Sequence, residues 1–215
     1  MAGLHKSQER LDIGKIDNRA PSVPRMFLDR VAATPGGEAF RYPGNGGWAS
    51  VTWQQVGDRV TLIAAGLIAL GVNPEDRVAL ASGTRYEWVV VDFGILAAGA
   101  ATTTVYPTTN AEDVAYIVAN SGSRIVIAED QQQLDKLVAR RADLPAVEKV
   151  VLIEGVGDGD DGDWVMSLDD LEQLGKQLLA DSPTAVTDRI DSIRPDQLAT
   201  LIYTSGTTGR PKGVR

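Results

Sequence analysis

The chain has 215 residues, 43% of them hydrophobic, and a formal net charge of −8, a composition typical of a globular protein with one sizeable core. It contains no cysteine, which excludes a disulfide framework and a cysteine-based metal site. Residues 151–200 carry twelve acidic and three basic side chains, the rest is nearly neutral, and the lack of a basic patch excludes a nucleic-acid partner.

Strand and helix patterns alternate along the chain. The predicted elements are, in order, a helix at Val23–Ala33, a strand pair at Phe40–Tyr42 and Ala49–Val51, a helix from Thr52 to Leu70, a strand at Arg77–Ala81, a helix from Thr84 to near Ala98, a strand at Ala101–Val105, a helix from Asn110 to Asn120, a strand at Arg124–Ala128, a helix from Asp130, a strand at Lys149–Ile153, a helix from Ser167 to about Leu179 and a strand at Ala199–Tyr203. This alternation predicts an α/β protein of parallel βαβ units.

Side chains that can cap a helix mark most of the predicted helix starts. Ser22, Asn110 and Ser167 each stand at a helix start, where a side-chain oxygen can accept from the first turn. Pairs with the spacing of a capping box are Thr52 with Gln55, Thr84 with Glu87 and Asp130 with Gln133.

The start of the chain and its longest apolar run bear on location. Residues 1–20 read as a polar tail and residues 21–215 as one domain, and Met1 to Arg25 lacks the apolar run of a signal peptide. His5, the single histidine, lies in that tail, where disorder is favoured over catalysis. Trp88 to Val105 reads as a buried helix and a strand, so no transmembrane segment and a cytoplasmic location are expected.

Two further features admit a functional and a structural interpretation. The run from Gly155 to Asp163 is rich in aspartate but does not have the spacing of an EF-hand, so a solvated acidic loop is favoured over a calcium site. Trp53, Trp88 and Tyr106 could line a pocket for an apolar ligand, but core packing is favoured because each lies beside an apolar run.

A run of hydroxyls and glycines, closed by one lysine, follows the last predicted strand. The backbone N–H groups of such a loop can form an anion-binding nest, and Lys212 supplies a positive charge suited to phosphate. The run is not a Walker A loop, because Lys212 follows Pro211 and precedes Gly213, which disfavour a helix there. A flexible linker and an unrelated phosphate-binding enzyme such as a kinase are the alternatives, the first disfavoured by the number of fixed positions.

The residues Tyr203-Thr-Ser-Gly-Thr-Thr-Gly-Arg-Pro-Lys-Gly213 resemble the phosphate loop of the AMP-forming adenylating enzymes, which include acyl-CoA synthetases, peptide-synthetase adenylation domains and luciferases. Upstream segments are similar to bacterial long-chain fatty-acid–CoA ligases: Val51–Val60, Gly71–Ala79 with Glu75 in place of the usual glycine, Thr84–Trp88, Asp92–Ala100, Val105–Thr108 and Ala115–Val118. The resemblance implies that residues 21–215 are the N-terminal portion of the large adenylating domain, ending just after the phosphate loop.

The resemblance also implies a reaction and its site residues. Family members join a fatty acid to ATP as acyl-adenylate, release pyrophosphate, and transfer the acyl group to coenzyme A, with Mg²⁺ as cofactor. The positions that match the phosphate-binding residues of the family are Thr204, Ser205, Gly206, Thr207, Thr208, Gly209 and Lys212. Of these, Thr204 also matches the hydroxyl that helps to hold Mg²⁺.

The family places other functional residues after this loop, which sets two expectations for the chain alone. The glutamate that joins Thr204 at Mg²⁺, the aspartate on the ribose and the lysine on the carboxylate all lie later, so the chain is expected to be inactive by itself. It is then either the front part of a ligase or a non-catalytic interaction module, namely a remnant or half of a split ligase.

Three further expectations concern partners and location. A split ligase would need a C-terminal complement chain or self-association, and a ligase of this kind could be peripheral at the membrane. Because the family pairs the motif strand with the strand after the loop, and a chain that stops at Arg215 is expected to lack that partner, Ala199–Tyr203 is expected to expose unpaired backbone groups.

Overall fold

The structure is a computed structural model that describes residues 19–44, 46–155, 159–204 and 210–215. The helices are α1 (Val23–Ala33), α2 (Trp53–Ala69), α3 (Tyr86–Ala97), α4 (Ala111–Ser121), α5 (Gln131–Ala139), α6 (Leu168–Asp181) and α7 (Ala185–Asp191), with 3₁₀ segments at Arg141–Asp143 and Gly159–Trp164. The strands are β1 (Glu38–Gly44), β2 (Gly47–Thr52), β3 (Arg77–Ala81), β4 (Ala101–Val105), β5 (Ser123–Ala128), β6 (Lys149–Leu152), β7 (Val165–Ser167), β8 (Thr200–Thr204) and β9 (Lys212–Val214). Most of the polar tail, with His5, and Val156 to Asp158 of the acidic run lie outside the described residues.

One seven-stranded sheet, in the order β7-β6-β5-β3-β4-β8-β9, organises the fold. Every neighbouring pair is parallel except β8 and β9, which are antiparallel, and β1 with β2 forms a separate antiparallel ribbon. The prediction of an α/β fold with parallel βαβ units is therefore confirmed.

Helices cover the sheet on both faces, because alternate residues of each strand point to opposite sides. On one face, Leu80 of β3 and Ile127 of β5 share a buried cluster with α1, α2, α3, α6 and α7. On the other, Ala79 and Val126 share a second cluster with α4 and α5. The core is thus two apolar layers separated by the sheet.

Helices α2 and α6 approach so closely that glycine is required at their contact. A Cβ atom on Gly175 would lie 2.0 Å from the carbonyl oxygen of Leu62, and one on Gly66 would lie 2.2 Å from that of Leu171. Both distances are shorter than real Cβ atoms allow, so the two backbones touch through glycine. This contact holds α6, which also packs against β6 and β7, beside α2 in the helical layer on this face of the sheet.

Most predicted helix starts are confirmed, and one is wrong. Ser22, Asn110, Asp130 and Ser167 each accept from a first-turn amide, and Thr52 forms the predicted capping box with Gln55. Helix α3 instead begins after Arg85, without a side-chain cap. The Nε of Arg85 donates to the Glu87 carboxylate at 2.6 Å, and this charge-assisted bond takes the group that would have completed a capping box with Thr84.

Two expectations about exposure need correction. Strand β8 is not left unpaired, because Ile202, Tyr203 and Thr204 pair with Lys212–Val214 on one side while β4 pairs with β8 on the other. The strand that was expected to be missing is thus already present in the last residues of the chain.

The prediction of core packing is wrong for Tyr106, which is 69% exposed because it follows the last residue of β4, beyond the buried part of the sheet. Trp53 and Trp88 do pack, partly buried, against the core. Within the described residues, no helix combines the length and apolar character needed to span a membrane.

Candidate functional site

The sheet order creates a switch point at the carboxyl ends of β3 and β4. The chain leaves β3 into α3, which packs in the first core cluster, and leaves β4 into α4, which packs in the second. Neighbouring connections therefore turn to opposite faces, and ligands of open α/β sheets bind in the crevice at such a point. The end of β8, next to β4, lies at the same edge because the two strands are parallel.

The predicted phosphate loop connects two paired strands at this edge. Thr204, the last residue of β8, and Lys212, the first of β9, are partners in the antiparallel ladder, and both are exposed. Directly opposite residues place their side chains on the same face of a sheet, so the register brings one hydroxyl and one ammonium group together. Of the predicted phosphate-binding residues, Ser205, Gly206, Thr207, Thr208 and Gly209 lie outside the described residues.

Tyr203 anchors the base of this hairpin from the opposite face of β8. Its ring is 9% exposed, and its hydroxyl donates to the Oδ1 of Asn120 on α4 at 2.7 Å. Burial raises the pKa of the Tyr203 phenol, and the nearby Tyr116 adds to the effect. A Cβ on Gly213 would lie 3.0 Å from the Cζ of Tyr203, so the last glycine of the motif makes room for this ring.

The far arm of the loop also rests on α4. The guanidinium of Arg210 lies 5.1 Å from the centre of the Tyr116 ring and 3.7 Å from the Glu112 carboxylate. Both groups are largely exposed, so each contact is weak by itself. Together with the Tyr203–Asn120 bond, they place both ends of the loop against one helix.

A second group of polar side chains lies farther along the same edge. Glu129, directly after β5, accepts from the backbone N–H of Gly83 at 2.7 Å, and Arg85 contacts Glu87, Glu129 and Glu154 at 2.6, 3.4 and 2.7 Å. These bonds tie together the segments after β3, β5 and β6. The sequence signal for this group is that Glu129 and Glu154 directly follow predicted strands, although no sequence motif includes them.

The donor set bears on which cofactor could bind. Among the described residues there is no group of three or more histidine, cysteine, aspartate or glutamate side chains placed to hold a metal. Mg²⁺ commonly binds through one or two carboxylates together with substrate phosphates and water, and a Ser or Thr hydroxyl can be one of its ligands. Thr204 offers a single hydroxyl, so a magnesium ion there would need nucleotide phosphates and water as its other ligands, and a metal held by the protein alone does not fit.

One family model and several known proteins match most of the chain. The family model described as AMP-binding enzyme matches residues 27–215. The long-chain-fatty-acid–CoA ligases FadD15 of Mycobacterium bovis and Mycobacterium tuberculosis are each 35% identical over 203 residues, which cover 94% of this chain and 32% of each relative. The Drosophila melanogaster long-chain-fatty-acid–CoA ligase heimdall is 33% identical over 179 residues, covering 80% of this chain and 25% of its own.

Solved structures show the same fold. The anthranilate CoA ligase AuaEII in complex with anthranoyl-AMP aligns with a TM-score of 0.76 at 24% identity, over 92% of this chain and 35% of that one. A Mycobacterium tuberculosis fatty acyl CoA synthetase aligns with a TM-score of 0.62 at 22% identity, over 90% and 34%. The chain spans about a third of the length of these proteins and corresponds to their N-terminal part.

Proposed function

Because the chain belongs to the AMP-binding enzyme family, we propose that it supplies the phosphate-binding part of a long-chain fatty-acid–CoA ligase. The observation that carries this proposal is the pairing of Thr204 with Lys212 across β8 and β9. The register sets a hydroxyl and an ammonium side by side at the edge where α/β sheets bind ligands. The fatty-acid substrate class rests on the names of the relatives.

The chemical problem at such a site is charge. A carboxylate that attacks the α-phosphorus of ATP must approach a polyanion, and the departing pyrophosphate gains further negative charge. Lys212 can bind phosphate oxygens as a point charge, and the Thr204 hydroxyl can contact the same group. Bound Mg²⁺ would supply additional neutralisation of the phosphates.

The direct test is a binding titration of the 215-residue chain with magnesium pyrophosphate and with MgATP. Lys212→Met should weaken binding of both by about 10- to 100-fold, because hydrogen bonds to charged groups contribute about 1.5–3 kcal/mol. Thr204→Val, which keeps the shape of the side chain, should weaken binding less. Lys176→Met, at an exposed lysine of α6, is the matched control and should change neither dissociation constant. Equal affinities for Lys212→Met and Lys176→Met would overturn the proposal.

A second candidate function is that of a partner-dependent half of a split ligase. Ile202 of β8 and Val214 of β9 are direct partners, and they are 48% and 54% exposed. Two adjacent apolar side chains on an open sheet face suit a surface that another polypeptide covers. Light scattering tests this candidate, on the chain alone and on the chain mixed with the C-terminal two-thirds of a relative. A split ligase requires that the mixture form a stable heterodimer.

A further inference from the structure

Glu75 has a backbone conformation that is unusual for a residue with a side chain. Among the residues that the structure describes, it is the only non-glycine residue with a positive φ, 65°. The left-handed region brings Cβ close to the following carbonyl oxygen, so glycine is preferred there. Strain of this kind persists where surrounding contacts hold the residue in place.

Three polar groups of Glu75 are held in this way. Its N–H donates to the carbonyl oxygen of Gly99 at 2.8 Å, and its carbonyl oxygen accepts from Nη1 of Arg77 at 3.2 Å. Its carboxylate Oε1 accepts from the backbone N–H of Leu198 at 3.0 Å, which joins segments 123 positions apart. A glycine would relieve the strain but would have no carboxylate for the third contact.

The contact with Leu198 lies two residues before Thr200, the first residue of the strand that carries the candidate site. Strand β8 pairs with β4 at only three positions, Thr102–Thr200, Thr103–Leu201 and Thr104–Ile202. The backbone bond from Thr102 N–H to the Ala199 carbonyl oxygen, at 3.0 Å, is the first main-chain contact between the two segments. The Glu75–Leu198 bond adds an anchor one residue earlier.

Register decides which face of β8 carries which side chain. A slip of one residue would exchange the exposed and buried sets, and would turn Thr204 to the face now occupied by Tyr203. A ladder of three pairs resists such a slip less than a longer one. We propose that Glu75 is a positioning residue, whose carboxylate fixes the start of β8 so that Thr204 and Lys212 stay aligned for phosphate binding. This inference rests on the proposed function of the hairpin.

Three variants at position 75 distinguish the contribution of the carboxylate from that of the backbone strain. Glu75→Gln keeps an oxygen acceptor, Glu75→Ala keeps the unfavourable φ but removes the acceptor, and Glu75→Gly removes both. Hydrogen exchange at the Leu198 and Ile202 amides reports on the start of β8, and the dissociation constant for MgATP reports on the site. Asp170→Ala is the control, because Asp170 completes a capping box on α6 and its loss lowers stability far from β8.

We expect Glu75→Ala and Glu75→Gly to lower the protection of the Leu198 amide at least tenfold and to weaken MgATP binding several-fold. Glu75→Gln should restore both readouts to within about twofold of the unchanged chain. Asp170→Ala should leave the Leu198 amide protected relative to the amides of β3, and should not change the affinity for MgATP.

Two results would overturn the role of Glu75. The first is protection of Leu198 that is unchanged in Glu75→Ala. The second is protection that falls equally at Leu198 and across β3, as general destabilisation would cause. If the unchanged chain binds no MgATP, the proposed function fails, and exchange at Leu198 still decides whether Glu75 holds the strand.

Discussion

Strands β3 and β8 belong to one sheet, but β3 is part of the buried core and β8 carries the candidate site. Val78, Ala79, Leu80 and Ala81 of β3 are buried, and β3 pairs at five positions with each of its two neighbours. Strand β8 has three pairs on each side, and Thr200, Ile202 and Thr204 are exposed on one of its faces. Residues that stabilise the fold are thus separated from residues that would meet a ligand, so the two can be altered independently.

Removing a core side chain tests this separation with the largest expected effect. Leu80→Ala should lower the free energy of unfolding by about 2–5 kcal/mol, because it leaves a cavity at a fully buried position. Ile202→Ala, on the exposed face of β8, should change it by no more than about 0.5 kcal/mol. Urea denaturation measures both. Similar losses in the two variants would show that β8 is as strongly packed as β3.

The glycine contact between α2 and α6 tests the layer that covers β3. Gly175→Ala should destabilise the chain by about 1–3 kcal/mol, because its Cβ would overlap the Leu62 carbonyl oxygen unless the helices separate. Gly36→Ala adds the same atom where nothing lies within 4 Å and is the control. Thermal denaturation of the two variants provides the comparison, and equal melting temperatures would argue against the close contact.

The smallest change in stability is expected at Asp92, which bonds to β4, the strand between β3 and β8. Asp92 of α3 accepts from the Thr102 hydroxyl of β4 at 2.6 Å, and burial raises the pKa of its carboxyl although this hydrogen bond opposes the shift. Because the folded-state pKa lies above the unfolded value, the stability that Asp92 contributes is fully present below the unfolded pKa and is lost as pH rises through the folded pKa.

Asp92→Asn keeps an oxygen acceptor for Thr102 and cannot ionise. At pH 7 it should therefore melt higher than the unchanged chain, by no more than about 2–4 °C, the shift that 1 kcal/mol produces in a domain of this size. The difference should shrink as pH falls toward the unfolded pKa of about 3.9. Asp29→Asn, at an exposed residue of α1, serves as the control for the loss of one charge. A pH-independent difference would contradict this assignment.

The sequence predicted helix starts well where a single capping side chain determines them. Ser22, Thr52 and Asp130 capped helices as predicted because a cap depends on neighbours three residues away. Thr84 does not cap a helix, because Arg85 forms ion pairs with Glu87 and, across the sheet edge, with Glu129. Competition of this kind involves side chains that only the fold brings together, and capping rules describe only near neighbours in the sequence.

The same limit applies to the candidate site. The motif predicted Thr204 and Lys212 as phosphate-binding residues, a prediction that no observation yet tests. That the two are direct cross-strand partners required the register of β8 and β9. The sequence marked Glu75 as a departure from glycine, but its bond to Leu198 depends on the fold of the intervening residues. The short elements β7 and α7 were also missed.

The pairing of β8 with β4 has a consequence for biosynthesis. Thr200 and Thr102 are in contact although 98 positions separate them, so this contact closes a long loop, whereas β3 and β4 join through a single helix. Because translation makes residues 101–105 well before residue 200, β4 is expected to remain an exposed edge strand until β8 has been synthesised. Its threonines at 102, 103 and 104 make β4 more polar than β5, which contains Ile125, Val126 and Ile127, and this should limit premature pairing of β4 with other nascent chains.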